Sequence, residues 1–269
     1  MQSKKIAIIG GGSLGTAIAE GLIISGEIHA SNLYVTRRRT DLLHRLKNIG
    51  INVGSDNQEV VIKSDIIILA VKPYQVIEIL KNLTHLLSSD KIVISLVAGV
   101  DLKELSNVTG KEIPLFRAMP NTAIALQESM TLISTNGSGE KHKQLVVDLF
   151  NKMGKTAIIP DELMAAATVL AACGIAYALR YIRAAMQGGV EIGFGAELAQ
   201  FITAQTVMGA AKLVLETGNH PEKEIDKVTT PRGVTITGLN EMENKGFSAS
   251  LIQGLLASYK KIEKLEDPG

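Results

Sequence analysis

Residues 4–22, KKIAIIGGGSLGTAIAEGL, constrain this chain more than any other stretch. Ile6 to Ile9 form a short apolar run that reads as a buried strand. Gly10, Gly12 and Gly15 follow in G-x-G-x-x-G spacing, and Ala17, Ile18, Ala19 and Leu22 then recur at helical intervals. Strand, glycine turn and helix in that order fit a dinucleotide site. Gly10 permits a tight turn, Gly12 lets a pyrophosphate approach the backbone, and Gly15 lets the helix pack on the strand. Free N–H groups at the helix start, around Ser13 and Leu14, then face the phosphates with the positive end of the helix dipole.

Asn32–Thr36 reads as the second strand, and Thr40 as the cap of a helix through Lys47 with Leu42, Leu43 and Leu46 on its apolar face. A strand entering a NAD site often ends in Asp or Glu for the ribose hydroxyls, but this one runs into Arg37-Arg38-Arg39. Three cations before a helix N-terminus oppose its dipole. A 2′-phosphate would relieve that, which favours NADPH over NADH, with Arg37 and Arg38 as contacts and Arg39 pointing away. A solvated basic turn is the plainer alternative.

Asp65–Val71 is a fully apolar strand, with Lys72-Pro73 at its carboxyl end, where ligands sit in open parallel sheets. Pro73 suits the first turn of a helix reaching about Leu87. Lys91–Leu96, Pro114–Pro120, Ser129–Ser134 and Thr156–Ile159 read as further strands, and Gly139–Met153 as an amphipathic helix. The alternation stops at Pro160-Asp161-Glu162. Residues 161–194, 196–217, 235–245 and 248–265 all read as helices. The expected organisation is an α/β nucleotide-binding domain over 1–160 and an all-α domain over 161–269.

Residues 163–179 carry no charge and approach membrane-spanning length, but they are alanine-rich and read better as a buried helix. Small residues from Ala165 to Ala185 keep that helix thin, and a thin apolar helix short of local partners calls for a partner chain. A net charge of +1 supplies no field for nucleic acid or membrane. The single cysteine, Cys173, excludes an internal disulfide and fits a reducing compartment, and its apolar helix favours packing over nucleophilic chemistry. No secretory leader is expected after Met1, so the expected location is cytoplasmic. The five histidines lack metal-ligand spacing, and no metal is expected.

Further motifs carry a family likeness: Ala70-Val71-Lys72-Pro73, Arg117-Ala118-Met119-Pro120-Asn121-Thr122, Gln205-Thr206-Val207-Met208-Gly209-Ala210-Ala211 and Val228-Thr229-Thr230-Pro231-Arg232-Gly233-Val234-Thr235. With the glycine turn, they make the chain resemble pyrroline-5-carboxylate reductases over nearly its whole length. The resemblance implies an N-terminal Rossmann domain and a helical domain that interleaves into a homodimer, with decamers as a further assembly. It implies NAD(P)H-dependent reduction of 1-pyrroline-5-carboxylate to L-proline. Carried over by position, Asn57 lies near the adenosine ribose, Ala70 to Pro73 near the cofactor ribose and nicotinamide, and Met119, Pro120 and Asn121 beside the nicotinamide. Thr235 matches a hydroxyl near the substrate nitrogen, on a loop that can come from the partner chain.

Two departures stand out. The family's S-G-S-G-P-A-Y is replaced here by residues 171–177, AACGIAY, and its P-G-G by Pro231-Arg232-Gly233. The first puts local helix geometry in question, and the second puts a long cation in the loop expected to hold the substrate carboxylate. N–H groups around Arg232, Gly233 and Val234 are candidate carboxylate donors, as is the Arg232 side chain, whose alternative is an exposed loop arginine. Thr229 and Thr230 could add hydroxyls or simply stabilise the turn. Thr235 is too weak an acid to drive protonation, so its expected role is to orient the ring; the alternative is a helix N-cap. The altered loop leaves open a reductase of another small cyclic imino acid, or a non-catalytic NADPH-binding homologue.

Overall fold

The computed structural model describes residues 3–266, with side chains described through Glu263. Met1, where the leader expectation begins, lies outside the described residues. The chain divides into two compact units, Met1–Cys173 with Ser258–Gly269, and Gly174–Ala257. By its contacts the first unit runs past residue 160 through Cys173 and takes in the helical turns from Ser258.

In the first unit, strands and helices alternate. They are β1 (Ile6–Ile9), α1 (Ser13–Ile24), β2 (Leu33–Thr36), α2 (His44–Asn48), β3 (Asn52–Gly54), α3 (Asn57–Lys63), β4 (Ile66–Leu69) and α4 (Pro73–Leu83). β5 (Ile92–Ser95), α5 (Leu102–Thr109), β6 (Leu115–Met119), β7 (Ser129–Thr135), α6 (Lys143–Asn151) and β8 (Gly154–Ile158) complete the sheet. The described strands form one sheet in the order β3-β2-β1-β4-β5-β6-β7-β8. Every neighbouring pair is parallel except β6 with β7. β1 pairs with both β2 and β4, so the strand order reverses at β1 and leaves a crevice past its carboxyl end.

Both faces of this sheet are covered, which explains the unbroken apolar runs. Ile6, Ile8, Ile66, Ile68, Ile92 and Ile94 pack on one side with Leu22 of α1 and Phe150 of α6. Ile9, Ile67, Leu69 and Val93 pack on the other with Val76 and Leu80 of α4 and Leu105 of α5. Several expectations need correction here. Thr40 is not a cap: Thr40–Leu43 is a 3-10 turn entered from Arg39 without a side-chain cap bond. Its Leu42 is exposed, while Leu43 and Leu46 are buried. The helix expected over 139–153 begins only at Lys143, after a 3-10 turn at Gly137–His142.

An ion pair with a buried arginine ties the sheet to the start of the helical region. Arg117, on β6, is 1% exposed, and its Nη1 donates to Asp161 Oδ1 at 3.1 Å. The same carboxylate accepts from Ser134 Oγ at 2.6 Å and from the Leu102 N–H at 3.0 Å, so it joins β6, β7 and the first turn of α5.

Past Asp161 the chain forms α7 (Met164–Ala167), a π-helical stretch at Thr168–Cys173, and α8 (Gly174–Glu191). The π-helical stretch runs into the segment where the family pattern has S-G-S-G-P-A-Y. The second unit holds α8, α9 (Ala196–Thr217), α10 (Pro221–Asp226), α11 (Val234–Asn244) and most of α12 (Phe247–Glu266). Within it, Gly189 of α8 lets Ala199 of α9 come close, since a Cβ on Gly189 would lie 3.1 Å from the Ala199 Cβ. Tyr181 meets Phe247 edge-on, with ring centroids 6.3 Å apart.

The reading of 163–179 as a buried helix fails beyond its first turns: no residue of α8 is buried. Of residues 174–257 only Ala199 is buried, while Leu179, Ile192, Phe201, Leu213, Leu215 and Leu251 stand exposed. The helix at Asp161–Glu191 and the helix Ala196–Thr217 are long and apolar enough to cross a membrane by length and composition alone. A helical unit with so little interior of its own requires an apolar partner surface.

Candidate functional site

The carboxyl ends of β1, β2, β4 and β6 lie along one rim of the sheet, because these strands run parallel. The glycine turn sits at its centre. Gly10 has φ +110°, and a Cβ there would fall 2.4 Å from the Ala70 carbonyl oxygen, so the turn is pressed against the end of β4. A Cβ on Gly15 would fall 2.1 Å from the Gly10 carbonyl oxygen, which fixes how closely α1 starts behind the turn. Gly12 is the opposite case: a Cβ there would meet nothing within 4 Å. α1 begins beside that open space with Gly12 as its N-cap, no side-chain cap bond and no acidic residue in its first turn. Its first N–H groups, at Ser13 and Leu14 among them, are therefore left for an anion or water.

β2 braces this turn. The Thr36 carbonyl accepts from the N–H groups of Gly10 at 3.1 Å and Gly11 at 2.8 Å. Thr36 Oγ1 donates to Asn57 Oδ1 at 2.6 Å, which brings Asn57, the first residue of α3, to the end of β2. Arg37 is half-buried, and its Nη1 donates to the Gly11 carbonyl at 2.8 Å. Arg38 is exposed, and Arg39 pairs with Asp41 at 3.1 Å. The site thus has a dinucleotide's requirements: an open approach at Gly12, uncapped helix N–H groups, and guanidinium groups beyond β2.

Next along the rim, the Ala70 N–H donates to the Ile9 carbonyl at 2.8 Å, and Pro73 is the first residue of α4, with Val71 and the exposed Lys72 between them. At the end of β6, Met119 and Pro120 are buried and Asn121 is half-buried. Asn121 Oδ1 accepts from the Ala123 N–H at 3.0 Å, and its Nδ2 donates to the Ala171 carbonyl at 3.3 Å, in the π-helical stretch. That bond links the Met119–Asn121 segment to the first altered motif.

The loop at Thr229–Thr235 belongs to the second unit. The Gly233 N–H donates to the Thr230 carbonyl at 2.9 Å and closes a four-residue turn. Proline at its second position excludes a positive φ there, and Arg232 at its third has φ +59°, so the turn is type II. Arg232 stands where such a turn prefers glycine. Thr229 Oγ1 donates to the Asp226 carbonyl at 3.2 Å, at the end of α10. The N-cap of α11 is Gly233, not Thr235. Thr235 is exposed in the first turn, near the 92%-exposed Val234, and its hydroxyl has no partner among the described residues.

Local sequence patterns leave β3, α3, α5 and the Arg117–Asp161 pair unmarked by periodicity. Two of these had a local signal: Asp56-x-x-Glu59 and Asp101-x-x-Glu104 have the spacing of helix starts, and both aspartates cap their helices.

Comparison with known proteins bears directly on these two units. A family model described as pyrroline-5-carboxylate reductase dimerisation matches residues 161–265. One described as coenzyme F420-dependent NADP oxidoreductase matches residues 5–99. Pyrroline-5-carboxylate reductase 2 of Dictyostelium discoideum is 40% identical over 97% of this chain and 93% of its own length. Pyrroline-5-carboxylate reductase 1 of that organism is 41% identical over 97% of this chain, which spans 49% of the longer relative. Among solved structures, the pyrroline carboxylate reductase of Plasmodium falciparum with NADP bound superposes with a TM-score of 0.91 at 28% identity, over 99% of this chain and 100% of that one. The reductase of Coxiella burnetii gives 0.89, also at 28% identity and over the same shares.

Proposed function

The chain belongs to the pyrroline-5-carboxylate reductase family, and we propose that it performs the reaction its relatives are named for: reduction of 1-pyrroline-5-carboxylate to L-proline with NAD(P)H. The observation that carries this reading is the rim around Gly12, open to an approaching diphosphate and followed by uncapped helix N–H groups. The cofactor, when bound, supplies a hydride to the carbon of the substrate's C=N bond. The basic turn after β2 makes NADPH the preferred cofactor, with Arg37, Arg38 and Asn57 at its adenosine end. Ala70 to Pro73 and Met119 to Asn121 hold the nicotinamide end.

The chain's own part in the chemistry is to bind and orient. The imine nitrogen takes its proton from water, since the loop carries no His, Lys or Asp in an acid position. Thr235 hydrogen-bonds the nitrogen, or a water on it, and fixes the ring for attack. N–H groups at Arg232, Gly233 and Val234, the Arg232 side chain, and the hydroxyls of Thr229 and Thr230 receive the carboxylate. The helical region, taken from residue 161, pairs two chains, which gives the exposed apolar faces of α8 and α9 their cover. Decamers assembled from such dimers, and a cytoplasmic location, complete the reading.

Thr235→Val tests the catalytic assignment. Turnover should fall by up to about a hundredfold, the cost of a misplaced ring, with NADPH affinity unchanged; undiminished turnover removes Thr235 from the mechanism. Arg232, standing where the family pattern has glycine, favours one competing reading, a reductase of a different small cyclic imino acid. NADPH oxidation measured against a panel of cyclic imino acids decides between them.

A further inference from the structure

The three arginines after β2 are not equivalent, and their bonds separate them. Arg37 is committed twice: its N–H donates to the Gly54 carbonyl at 2.9 Å, and its Nη1 to the Gly11 carbonyl at 2.8 Å. Gly11 in turn donates to the Thr36 carbonyl at 2.8 Å, so residues 10–11 and 36–37 are stitched in both directions. The buried Leu43 wedges the same turn from another side, where a Cβ on Gly11 would lie 2.6 Å from Leu43 Cδ2. Arg39 is exposed and already neutralised by Asp41 at 3.1 Å. Arg38 is exposed, and among the described residues no hydrogen bond or ion pair engages it.

We infer that Arg38 alone discriminates NADPH from NADH, and that Arg37 is a positioning residue that holds the glycine turn in shape for either cofactor. The physical ground is what each guanidinium gives up. Arg38 exchanges only water for a 2′-phosphate and arrives with all five donors unspent. Arg37 has one arm on a carbonyl of the phosphate-binding turn, so its loss loosens a feature that both cofactors use. Arg39 would first have to release Asp41. This assignment rests on the cofactor reading above and refines it.

The experiment is calorimetric titration of the full chain with NADPH, NADH and adenosine 2′,5′-bisphosphate, which needs no imine turnover. Arg38→Ala should raise the NADPH and bisphosphate dissociation constants about tenfold or more, the loss of one charge-assisted contact, and leave NADH within about twofold. Arg37→Met should raise the NADPH and NADH constants by the same factor and keep their ratio. Arg37→Lys, which keeps the charge but not the planar fork, should do likewise and covers the case in which the methionine variant fails to fold. Arg39→Ala should change none of them. The inference is overturned if Arg38→Ala preserves the preference or if either Arg37 variant abolishes it. Equal affinities of the unmodified chain for NADPH and NADH would overturn the NADPH preference itself, and this assignment with it.

Discussion

Replacing Arg232 by glycine should stabilise the protein while weakening its hold on substrate. Arg232 has φ +59° in a turn closed by the Gly233 N–H on the Thr230 carbonyl at 2.9 Å. A side chain in that left-handed region costs about 1–2 kcal/mol. Glycine recovers this but adds freedom to the unfolded chain, worth roughly 0.4–1 kcal/mol in the opposite direction. Arg232 is exposed, so little packing is lost with it. The balance is a gain of about 0–1.6 kcal/mol, centred near 0.8, and the centre corresponds to a melting temperature higher by roughly 2–3 °C for a chain of this size. The assay is thermal unfolding of both proteins at one fixed concentration, because pairing makes the midpoint concentration-dependent. Gly233→Ala supplies the opposite sign, since its Cβ would fall 2.5 Å from Thr230 Oγ1 and 2.9 Å from the Thr230 carbonyl oxygen. Steady-state kinetics then test the functional half: KM for the imino acid should rise about tenfold with kcat less affected, as the loss of a carboxylate partner requires. An Arg232→Gly protein that melts no higher than its parent refutes the strain argument. One that melts higher with an unchanged KM refutes the carboxylate role alone.

Two other perturbations follow from the first unit. Asp161→Ala removes a charge partner of an arginine that is 1% exposed, together with the acceptor for Ser134 and Leu102. Urea unfolding should show a loss of about 1–3 kcal/mol, the cost of buried donors losing their acceptor, and an unchanged midpoint would mean that this carboxylate does not hold the three elements together. His142, before α6, has a buried Nε2, and burial chiefly, with Lys141 and Lys4 adding to it, holds its pKa below the ordinary 6.5. The folded chain therefore refuses a proton that the unfolded chain accepts. Its contribution is complete above pH 6.5 and declines as pH falls through 6.5 towards the lower folded value. His142→Asn should flatten that part of the stability–pH curve, and an unaltered slope between the two proteins would count against it.

What could be read in advance followed physical locality. β1, the glycine turn and α1 are legible because their meaning lies in adjacent residues, and β4 because a strand covered on both faces shows as an unbroken apolar run. α3 and α5 are short, and their apolar residues are too few for periodicity to reveal, although their capping aspartates were available. The Arg117–Asp161 pair spans 44 positions and was invisible to any local pattern. Thr235 resembles a cap, but Gly233 takes that place two residues earlier, because the type II turn delivers the chain to α11 sooner. The exposure of α8 was misread because apolar composition marks burial without saying whose surface does the burying.

The first unit is not finished when its sheet is. The turns from Ser258 onward count with it, and Ile262 there is 9% exposed, so its interior draws on residues made after the whole helical unit. A ribosome must deliver the whole helical insertion before these turns can join the first unit, so a cut near Ser258 removes part of a body whose sheet ends at Ile158. Two covalent crossings, one after Cys173 and one before Ser258, join the bodies, so severing either leaves the other as a tether.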